Sequence, residues 1–269
     1  MRTVPVPSWW GVGLSLVLVA VALAVAVRAH LDNARDIGLA ALRAAVQLVA
    51  VGALLKVLFQ HTGLPGSLAW VVAMVVIAGR VAAGRGRGLP GATSTATFAI
   101  AVGVVATLGV LVGAGIISTK PFVVVPVGGM VVSGSMQSVS MVLARLRDEM
   151  ASSRRQVEAR LALGMTAADA FAPHRRTALR TALNPAIDQT KVVGLISLPG
   201  AMTGLIIAGV SPLLAIRYQI VVMYMLLGAY AIAGVVAALV TQRRVFDDAE
   251  RLLPLVASGP GRRRGRMGT

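Results

Sequence analysis

Seven long apolar stretches dominate this sequence and restrict what it can fold into. They are close to the length, roughly 18–20 residues, that an α-helix needs to cross about 30 Å of hydrocarbon. Hydrophobic residues make up 57% of the chain and charged residues 13%, unlike an ordinary soluble domain. The sequence predicts an all-α, polytopic membrane protein with about seven transmembrane helices. The predicted spans are residues 9–27, 37–59, 67–83, 95–117, 121–143, 190–210 and 216–240.

Basic residues are distributed unequally between the two sides of these spans. If the N-terminus lies outside, the outer side holds only Arg2, Lys56, Lys120 and Arg217, and the remaining loop arginines lie inside. Lysine and arginine concentrate in cytoplasmic loops, so we expect the N-terminus outside and the C-terminus in the cytoplasm. The net charge of +16 is spread over short loops and a tail rather than one patch. The expected partner is therefore a lipid bilayer, and no nucleic acid is expected.

The organisation predicted from this pattern is one transmembrane domain, residues 1–240, followed by a basic tail. The tail, residues 241–269, is predicted to lie in the cytoplasm and to be disordered. The polar segment 145–189 interrupts the domain. It cannot cross hydrocarbon, because each ionised side chain at the bilayer centre costs about 2.5–3.5 kcal/mol.

Local signals divide the polar segment into two helices. Arg154 and Glu158 are four residues apart on one helical face, and Gly164 stands at a position where it can end that helix. Thr166 and Asp169 form a capping box for a second, short helix that Pro173 is expected to close. Such a helix–turn–helix suits insertion into a groove of a partner protein. The alternative is an ordinary solvated loop.

Several polar or irregular positions inside the spans are candidates for a translocation path. Arg43 and Gln47 share one helical face. Either this face lines a polar cavity, or the Arg43 side chain extends along the helix to the lipid headgroups. The serine-rich part of the fifth stretch serves either small-residue helix packing or the path. Its methionines are packing filler or soft metal ligands. The path candidates are Arg43, Gln47, Ser135, Met136, Gln137, Ser138 and Met202, and the predicted helix breaks are Pro126, Pro199 and Gly200.

The acidic residues argue against an autonomous pump or enzyme. All ten lie outside the predicted spans, whereas a proton-coupled carrier normally needs a titratable group within the membrane. The sequence contains no Walker A motif and no common hydrolase motif. We therefore expect a non-enzymatic transport subunit that binds no cofactor of its own and receives its energy from another protein.

Several stretches resemble a known type of membrane permease. The sequence from Glu158 to Thr166, EARLALGMT, resembles the EAA-x3-G loop of ATP-binding cassette (ABC) permeases, with Arg160 in place of the second alanine. The stretches 194–204, 208–212 and 218–223 are similar to the FetB-type permease family, as are residues 43–48 and the Ser-Met cluster of the fifth span. The similarity extends from about residue 35 to residue 230. Leu205 and Ser133-Gly134 depart from the pattern expected for that family.

The resemblance implies a function. Bacterial members pair with a FetA-type ATPase and are assigned to iron export, and plant relatives are linked to aluminium tolerance. By this analogy the chain is a homodimeric permease in the cytoplasmic (inner) membrane of a bacterium. It would bind two FetA-like ATPase subunits, which carry the ATP and Mg. The residues implied in coupling to the ATPase are Glu158, Ala159, Gly164, Thr166 and Asp169.

Iron as cargo follows from the resemblance alone. The residues that would hold a metal are unknown, because hard divalent cations prefer carboxylates and the predicted spans contain none. The alternatives are an ABC permease for an organic or sugar-nucleotide-like solute, and an ATPase-independent channel or secondary carrier. A non-transporting membrane scaffold is a third.

Overall fold

The computed structural model describes residues 8–30, 34–61 and 63–255, and most of these residues are helical. A single 3-10 turn, Gly84–Gly86, follows the third helix. The described ranges contain no β-sheet, only two isolated bridges. The predicted all-α fold is confirmed for this part of the chain. In chain order the helices are α1 (Trp9–Arg28), α2 (Ala34–His61), α3 (Leu64–Ala83), α4 (Ala92–Gly113), α5 (Pro121–Ala162), α6 (Ala167–Val192), α7 (Gly200–Ile207) and α8 (Pro212–Arg244).

Six of the described helices, α1 to α5 and α8, are long and apolar enough to cross a membrane. The stretch predicted as the sixth of seven spans, 190–210, is not one helix. It contains the end of α6, the non-helical residues 193–199, and α7, which has only eight residues. Pro199 immediately precedes α7 and Gly200 begins it. The interruption lies where the Pro199-Gly200 pair predicted it.

Helix α5 is longer than the span predicted for it. It has 42 residues, or about 63 Å at 1.5 Å per residue, roughly twice the thickness of the hydrocarbon. It passes through Pro126 without interruption, so the predicted helix break at that position is wrong. The helix predicted around Arg154 and Glu158 is the end of this same helix. The second half of α5 therefore extends beyond any bilayer that its first half crosses.

Helix α6 is also longer than predicted, because it continues through Pro173 and Pro185 to Val192. A proline inside a helix costs about 3 kcal/mol through a lost hydrogen bond and a steric clash. Side chains around Pro173, including Phe171 and Ala178, are buried against neighbouring helices. Their burial offsets the cost of the proline, and the expected end at Pro173 does not occur.

The core of the molecule is a bundle of α3, α4, α5 and α8, with α6 packed on α5 and α8. Small residues bring these helices close together. A Cβ atom at Gly234 of α8 would lie 2.6 Å from Ser138 Oγ of α5, and one at Gly103 of α4 would lie 2.9 Å from Ala233 Cβ. Helix association in membranes relies on such close backbone approach, since lipid is as apolar as the side chains.

Helices α1 and α2 pack on each other, and α2 has only a few contacts with α5. The apolar part of α2 that is long enough to cross a membrane contains no buried residue. Arg43 and Gln47 both lie on α2 with exposed side chains. Within the described residues, they are therefore separate from the polar cluster of α5.

Candidate functional site

A compact elbow joins α5 to α6. The elbow comprises residues 158–170, and its turn contains Gly164 with a backbone φ of +84°, a conformation that favours glycine. The amide of Gly164 donates to the Leu161 carbonyl at 2.9 Å, and that of Met165 donates to the Arg160 carbonyl at 3.2 Å. These two bonds form a Schellman motif, which ends α5 at the position predicted for Gly164.

The start of α6 is capped as the sequence predicts. The amide of Asp169 donates to Thr166 Oγ1 at 3.2 Å, and the Thr166 hydroxyl donates to Asp169 Oδ2 at 2.8 Å. On the other side of the turn, Arg154 Nε lies 2.7 Å from Glu158 Oε1. Ala159 is exposed beside this ion pair. Thus all five residues predicted for coupling lie in the elbow.

The tip of the elbow exposes apolar side chains. Leu163 is 84% exposed and Met165 is 41% exposed, although the turn around them is hydrogen-bonded. This end of the molecule is distant from the apolar half of α5, because the elbow begins 37 residues after Pro121. Exposed leucine and methionine side chains in a polar region are typical of a protein interaction site.

A buried cluster supports the elbow from beneath. Phe171 is fully buried, and His174 Nδ1 lies 2.8 Å from Glu149 Oε2 of α5. Arg160 Nη1 donates to the Ala170 carbonyl at 3.1 Å. These contacts hold α6 against the end of α5. This cluster is not apparent from the sequence, because its members become neighbours only when the two helices fold back on each other.

The segment after α8 is folded onto the elbow. We call residues 245–255 the tail strap. Within it, Leu252 is buried and Phe246 packs edge-to-face on Phe171 with ring centroids 5.9 Å apart. The predicted disorder of the tail is therefore wrong for residues 241–255, because apolar side chains anchor this part. Residues 256–269 lie outside the described residues.

Polar contacts fix the tail strap to both helices of the elbow. Arg154 Nη2 donates to the Leu252 carbonyl at 3.0 Å, and Glu250 Oε2 accepts from the Ala167 amide at 2.8 Å. Asp247 closes a turn within the strap by accepting from the amides of Ala249 and Arg251. The hydrogen bond from the Arg251 backbone lowers the pKa of Asp247 below its ordinary value. The strap and elbow enclose a groove of about 560 Å³.

Two neighbouring cavities lie along the interrupted sixth segment, and a third adjoins one of them at Gln137. The α7 cavity, of about 370 Å³, is lined by residues that include Met202, Val193 and Gln219. The central cavity, of about 230 Å³, shares Val193 and Gln219 with it. The central cavity shares Gln137 with a third, the polar-end cavity, of about 500 Å³. Together the cavities extend from α7 to three charged residues, which are Arg85 in the 3-10 turn after α3, and Arg145 and Asp148 on α5.

The predicted path residues divide into three groups in this structure. Gln137, Met136 and Met202 line the chain of cavities. Ser135 and Ser138 are buried between helices, and Ser138 Oγ donates to the Tyr230 carbonyl at 2.8 Å. Their burial is what the alternative interpretation, small-residue helix packing, predicts. Arg43 and Gln47 are exposed on α2 and line none of the three cavities.

Sequence reasoning missed the α8 residues of the central cavity. Tyr230 donates its hydroxyl hydrogen to Gln137 Oε1 at 2.8 Å, and Gln219 lies two turns from the start of α8. An amide side chain within an apolar span could have drawn attention to Gln219, but its position opposite the α6–α7 interruption is a long-range property. Among the described residues, no group of three histidine, cysteine, aspartate or glutamate side chains could hold a metal ion.

Comparisons with known proteins agree with a membrane protein of this architecture. The profile of the family described as "Uncharacterised protein family (UPF0014)" matches residues 9–246. "UPF0014 membrane protein STAR2" of Oryza sativa subsp. japonica is 38% identical over 217 residues, which cover 79% of this chain and 75% of the relative. No solved structure matches the chain.

Two further relatives have names that refer to metals. "Probable iron export permease protein FetB" of Escherichia coli (strain K12) is 35% identical, with 81% of this chain and 85% of the relative covered. "Protein ALUMINUM SENSITIVE 3" of Arabidopsis thaliana is 35% identical, with 78% and 77% covered. The profile match over most of the chain and these identities lead to one conclusion: the chain is a multi-pass membrane protein of the UPF0014 family.

Proposed function

We propose that the chain is the permease subunit of an ABC transporter that exports iron or another metal. Two copies form a homodimer and bind two FetA-like ATPase subunits, which carry the ATP and Mg. The elbow and tail strap face the cytoplasm, and the N-terminus lies outside, as the distribution of arginine favours. The membrane is the cytoplasmic membrane of a bacterium.

One observation carries this proposal: a single uninterrupted helix connects the cavities with the elbow. Gln137, which lines two cavities, and Glu158, in the elbow, both belong to α5. They are 21 residues apart in the sequence, or about 32 Å along a helix. A continuous helix transmits a displacement at one end to the other. Movement of an ATPase bound at the elbow would thus alter the cavity wall.

The elbow has the properties of an ATPase docking site. Its turn is fixed by the Gly164 motif and the Thr166 cap, so the exposed Leu163 and Met165 are presented on a rigid support. A preorganised surface binds with a smaller loss of conformational entropy than a flexible loop. The similarity to the EAA-x3-G loop covers this same region, and a relative named as a probable iron export permease supports the cargo.

The proposal is tested by purifying the chain from its native membrane in mild detergent and identifying the proteins retained with it. We expect an ATPase with a Walker A motif. Glu158→Ala and Leu163→Ser should lower its retention roughly 5- to 30-fold, the effect of losing 1–2 kcal/mol of interface free energy. Asp188→Ala is the matched control, because Asp188 is an exposed, ion-paired carboxylate near the far end of α6 that lines none of the three cavities.

Transport is measured with the purified complex in vesicles. We expect ATP-dependent movement of iron that falls in Glu158→Ala and is unchanged in Asp188→Ala. Recovery of the chain without an ATPase, under conditions that preserve a known ABC complex, would contradict the proposal. Metal transport that requires no ATPase would instead favour a channel or secondary carrier.

A further inference from the structure

Two arginines from different elements line the polar-end cavity. Arg85 belongs to the 3-10 turn after α3 and Arg145 to α5, and both are exposed. Within the part of the chain that the structure describes, neither side chain forms an ion pair. Asp148, which also lines the cavity, is paired with Arg147, whose Nη2 lies 2.8 Å from Asp148 Oδ1. The cavity therefore presents two guanidinium groups to a ligand, and the nearby carboxylate is already neutralised.

The 3-10 turn that carries Arg85 is fixed against α5. A Cβ atom at Gly86 would lie 2.9 Å from Leu143 Cβ, so the backbone of the turn approaches α5 closely. Gly86 and Leu143 are both buried, and the amide of Leu89 donates to the Gly86 carbonyl at 3.0 Å. The two arginines thus project from backbone segments that are packed together, which lowers the entropic cost of binding a ligand between them.

The rest of the lining is mostly apolar. On α3, Val81 precedes Arg85 by one turn, and on α5, Met136 and Met141 precede Arg145. The cavity is therefore cationic at one end and apolar at the other. Ile77 lies one turn before Val81 on the same face of α3, and these two side chains are 59% and 54% exposed. The apolar surface thus continues out of the cavity along α3.

The two ends of the cavity lie at different depths in a membrane. Met136 is 15 residues and Arg145 is 24 residues after Pro121, where α5 begins. These separations are about 22 and 36 Å along a helix, and the hydrocarbon is about 30 Å thick. Met136 is therefore at hydrocarbon depth and Arg145 at the depth of the headgroups. Arg85 is at a similar depth, because it follows α3, whose 20 residues also cover about 30 Å.

We propose that the polar-end cavity binds an anionic phospholipid, with its phosphate between Arg85 and Arg145 and its acyl chains along Val81 and Ile77. A guanidinium group fits a phosphate through two parallel hydrogen bonds. Basic pockets between membrane helices at headgroup level suit such lipids, and the volume of about 500 Å³ is within the range of small-molecule sites. The inference depends on the membrane location of the chain and not on the cargo or the ATPase.

The test is native mass spectrometry of the purified full chain in detergent, which resolves each bound lipid. Phosphatidylglycerol is compared with phosphatidylcholine of identical acyl chains, so that only the headgroup differs. We expect the first phosphatidylglycerol to bind more tightly, because the choline cation is repelled by the arginines. Arg85→Gln and Arg145→Gln should each weaken that binding about fivefold, the effect of removing one cationic side chain near the headgroup.

Arg87→Gln is the matched control. Arg87 is exposed and directly follows the same 3-10 turn, but it does not line the polar-end cavity. General attraction between a basic loop and anionic lipid predicts equal losses in Arg85→Gln and Arg87→Gln. The proposed site predicts a loss only in Arg85→Gln, so equal losses would overturn it.

Asp148→Asn tests the site in the opposite direction. This substitution removes a negative charge from the lining and releases Arg147 from its ion pair. Binding of phosphatidylglycerol should therefore become tighter. A general loss of folding cannot produce tighter binding, so this variant separates recognition of the anion from a structural effect. Weaker or unchanged binding in Asp148→Asn would contradict the proposal.

A lipid is distinguished from a free phosphate compound with glycerophosphoglycerol, the same headgroup without acyl chains. We expect it to compete poorly with phosphatidylglycerol, because it cannot use the apolar surface at Val81 and Ile77. If it binds as tightly as the lipid, the cavity recognises a soluble phosphate and the lipid assignment is wrong. Equal binding of phosphatidylglycerol and phosphatidylcholine would also overturn the inference. Neither result affects the proposed function, which ATPase retention and ATP-dependent transport test separately.

Discussion

The carboxylate of Glu250 accepts a hydrogen bond from the backbone amide of Ala167, the first residue of α6, at 2.8 Å. The two residues are 83 positions apart, so this contact connects the tail strap to the elbow. An acidic side chain at a helix N-terminus satisfies a free amide and interacts favourably with the helix dipole.

Replacing Glu250 should therefore loosen the elbow. We expect Glu250→Ala to reduce local stability by about 1 kcal/mol, as for a lost helix cap. Hydrogen exchange of residues 166–170 should become several-fold faster, while exchange in α3 and α4 is unchanged. Asp248→Ala, at an exposed acidic position of the same strap, is the control. Equal effects of the two substitutions would show that the specific contact is unimportant.

Arg154 should stabilise the tail strap, beyond what its exposed ion pair with Glu158 contributes. An exposed ion pair contributes at most about 1 kcal/mol. Arg154 also donates to the carbonyls of Leu252 and Leu253, at 3.0 and 3.3 Å. We expect Arg154→Ala to release the strap, detected as faster proteolysis at Arg251, and Arg155→Ala to have little effect.

A lysine at position 154 should not hold the tail strap as Arg154 does. The planar guanidinium supplies several fixed donors, whereas an ammonium is a single point charge. Arg154→Lys should therefore preserve the ion pair with Glu158 but leave the strap loosened, with proteolysis close to that of Arg154→Ala. Full protection in the lysine variant would mean that charge alone holds the strap.

The turn at Asp247 should respond to acid. Because its pKa is lowered in the folded strap, the carboxylate stabilises the turn fully at neutral pH. This contribution is lost as the pH falls through the lowered pKa, below the ordinary aspartate value of about 4. Hydrogen exchange of residues 245–255, corrected for intrinsic rates, should accelerate at low pH. Asp247→Asn should remove most of that pH dependence and weaken the turn already at neutral pH.

The sequence predicted the fold class well because the length and hydrophobicity of a span are local properties. It also located the interruption at Pro199 and Gly200, where two helix-disfavouring residues are adjacent. It failed at Pro126 and Pro173, which both lie inside continuous helices. The rule that proline ends a helix is a local free-energy argument, and at Pro173 the packing of Phe171 outweighs it.

The candidate site was predictable to the extent that it depends on neighbours in the chain. Gly164, Thr166 and Asp169 occupy the turn and cap positions that their spacing indicated. Gln219 and Tyr230 were missed because their roles depend on which face of α8 meets the end of α6. The tail strap was missed because residues 241–269 were taken together as one basic, glycine-rich tail, although the glycines and most of the arginines lie after residue 255 and residues 245–255 are largely apolar.

Two glycines of α8, Gly228 and Gly234, differ in how closely α5 approaches them. A Cβ at Gly234 would lie 2.6 Å from Ser138 Oγ, whereas one at Gly228 would have nothing within 4 Å. Gly234→Ala should therefore separate the helices and lower stability by about 1–3 kcal/mol, the usual cost of overpacking. Gly228→Ala should be neutral or stabilising by up to about 1 kcal/mol, because alanine favours the helix.

The double variant Gly234→Ala with Ser138→Ala identifies the cause. Removing the hydroxyl takes away the atom that the new methyl group would contact, so the double variant should be more stable than Gly234→Ala alone. The unaltered chain, Gly234→Ala, Ser138→Ala and the double variant are compared by thermal unfolding in one detergent, followed by circular dichroism. If Ser138→Ala adds its own full cost to that of Gly234→Ala, the two positions are independent, and the close approach of α5 and α8 at this point is not the reason for the glycine.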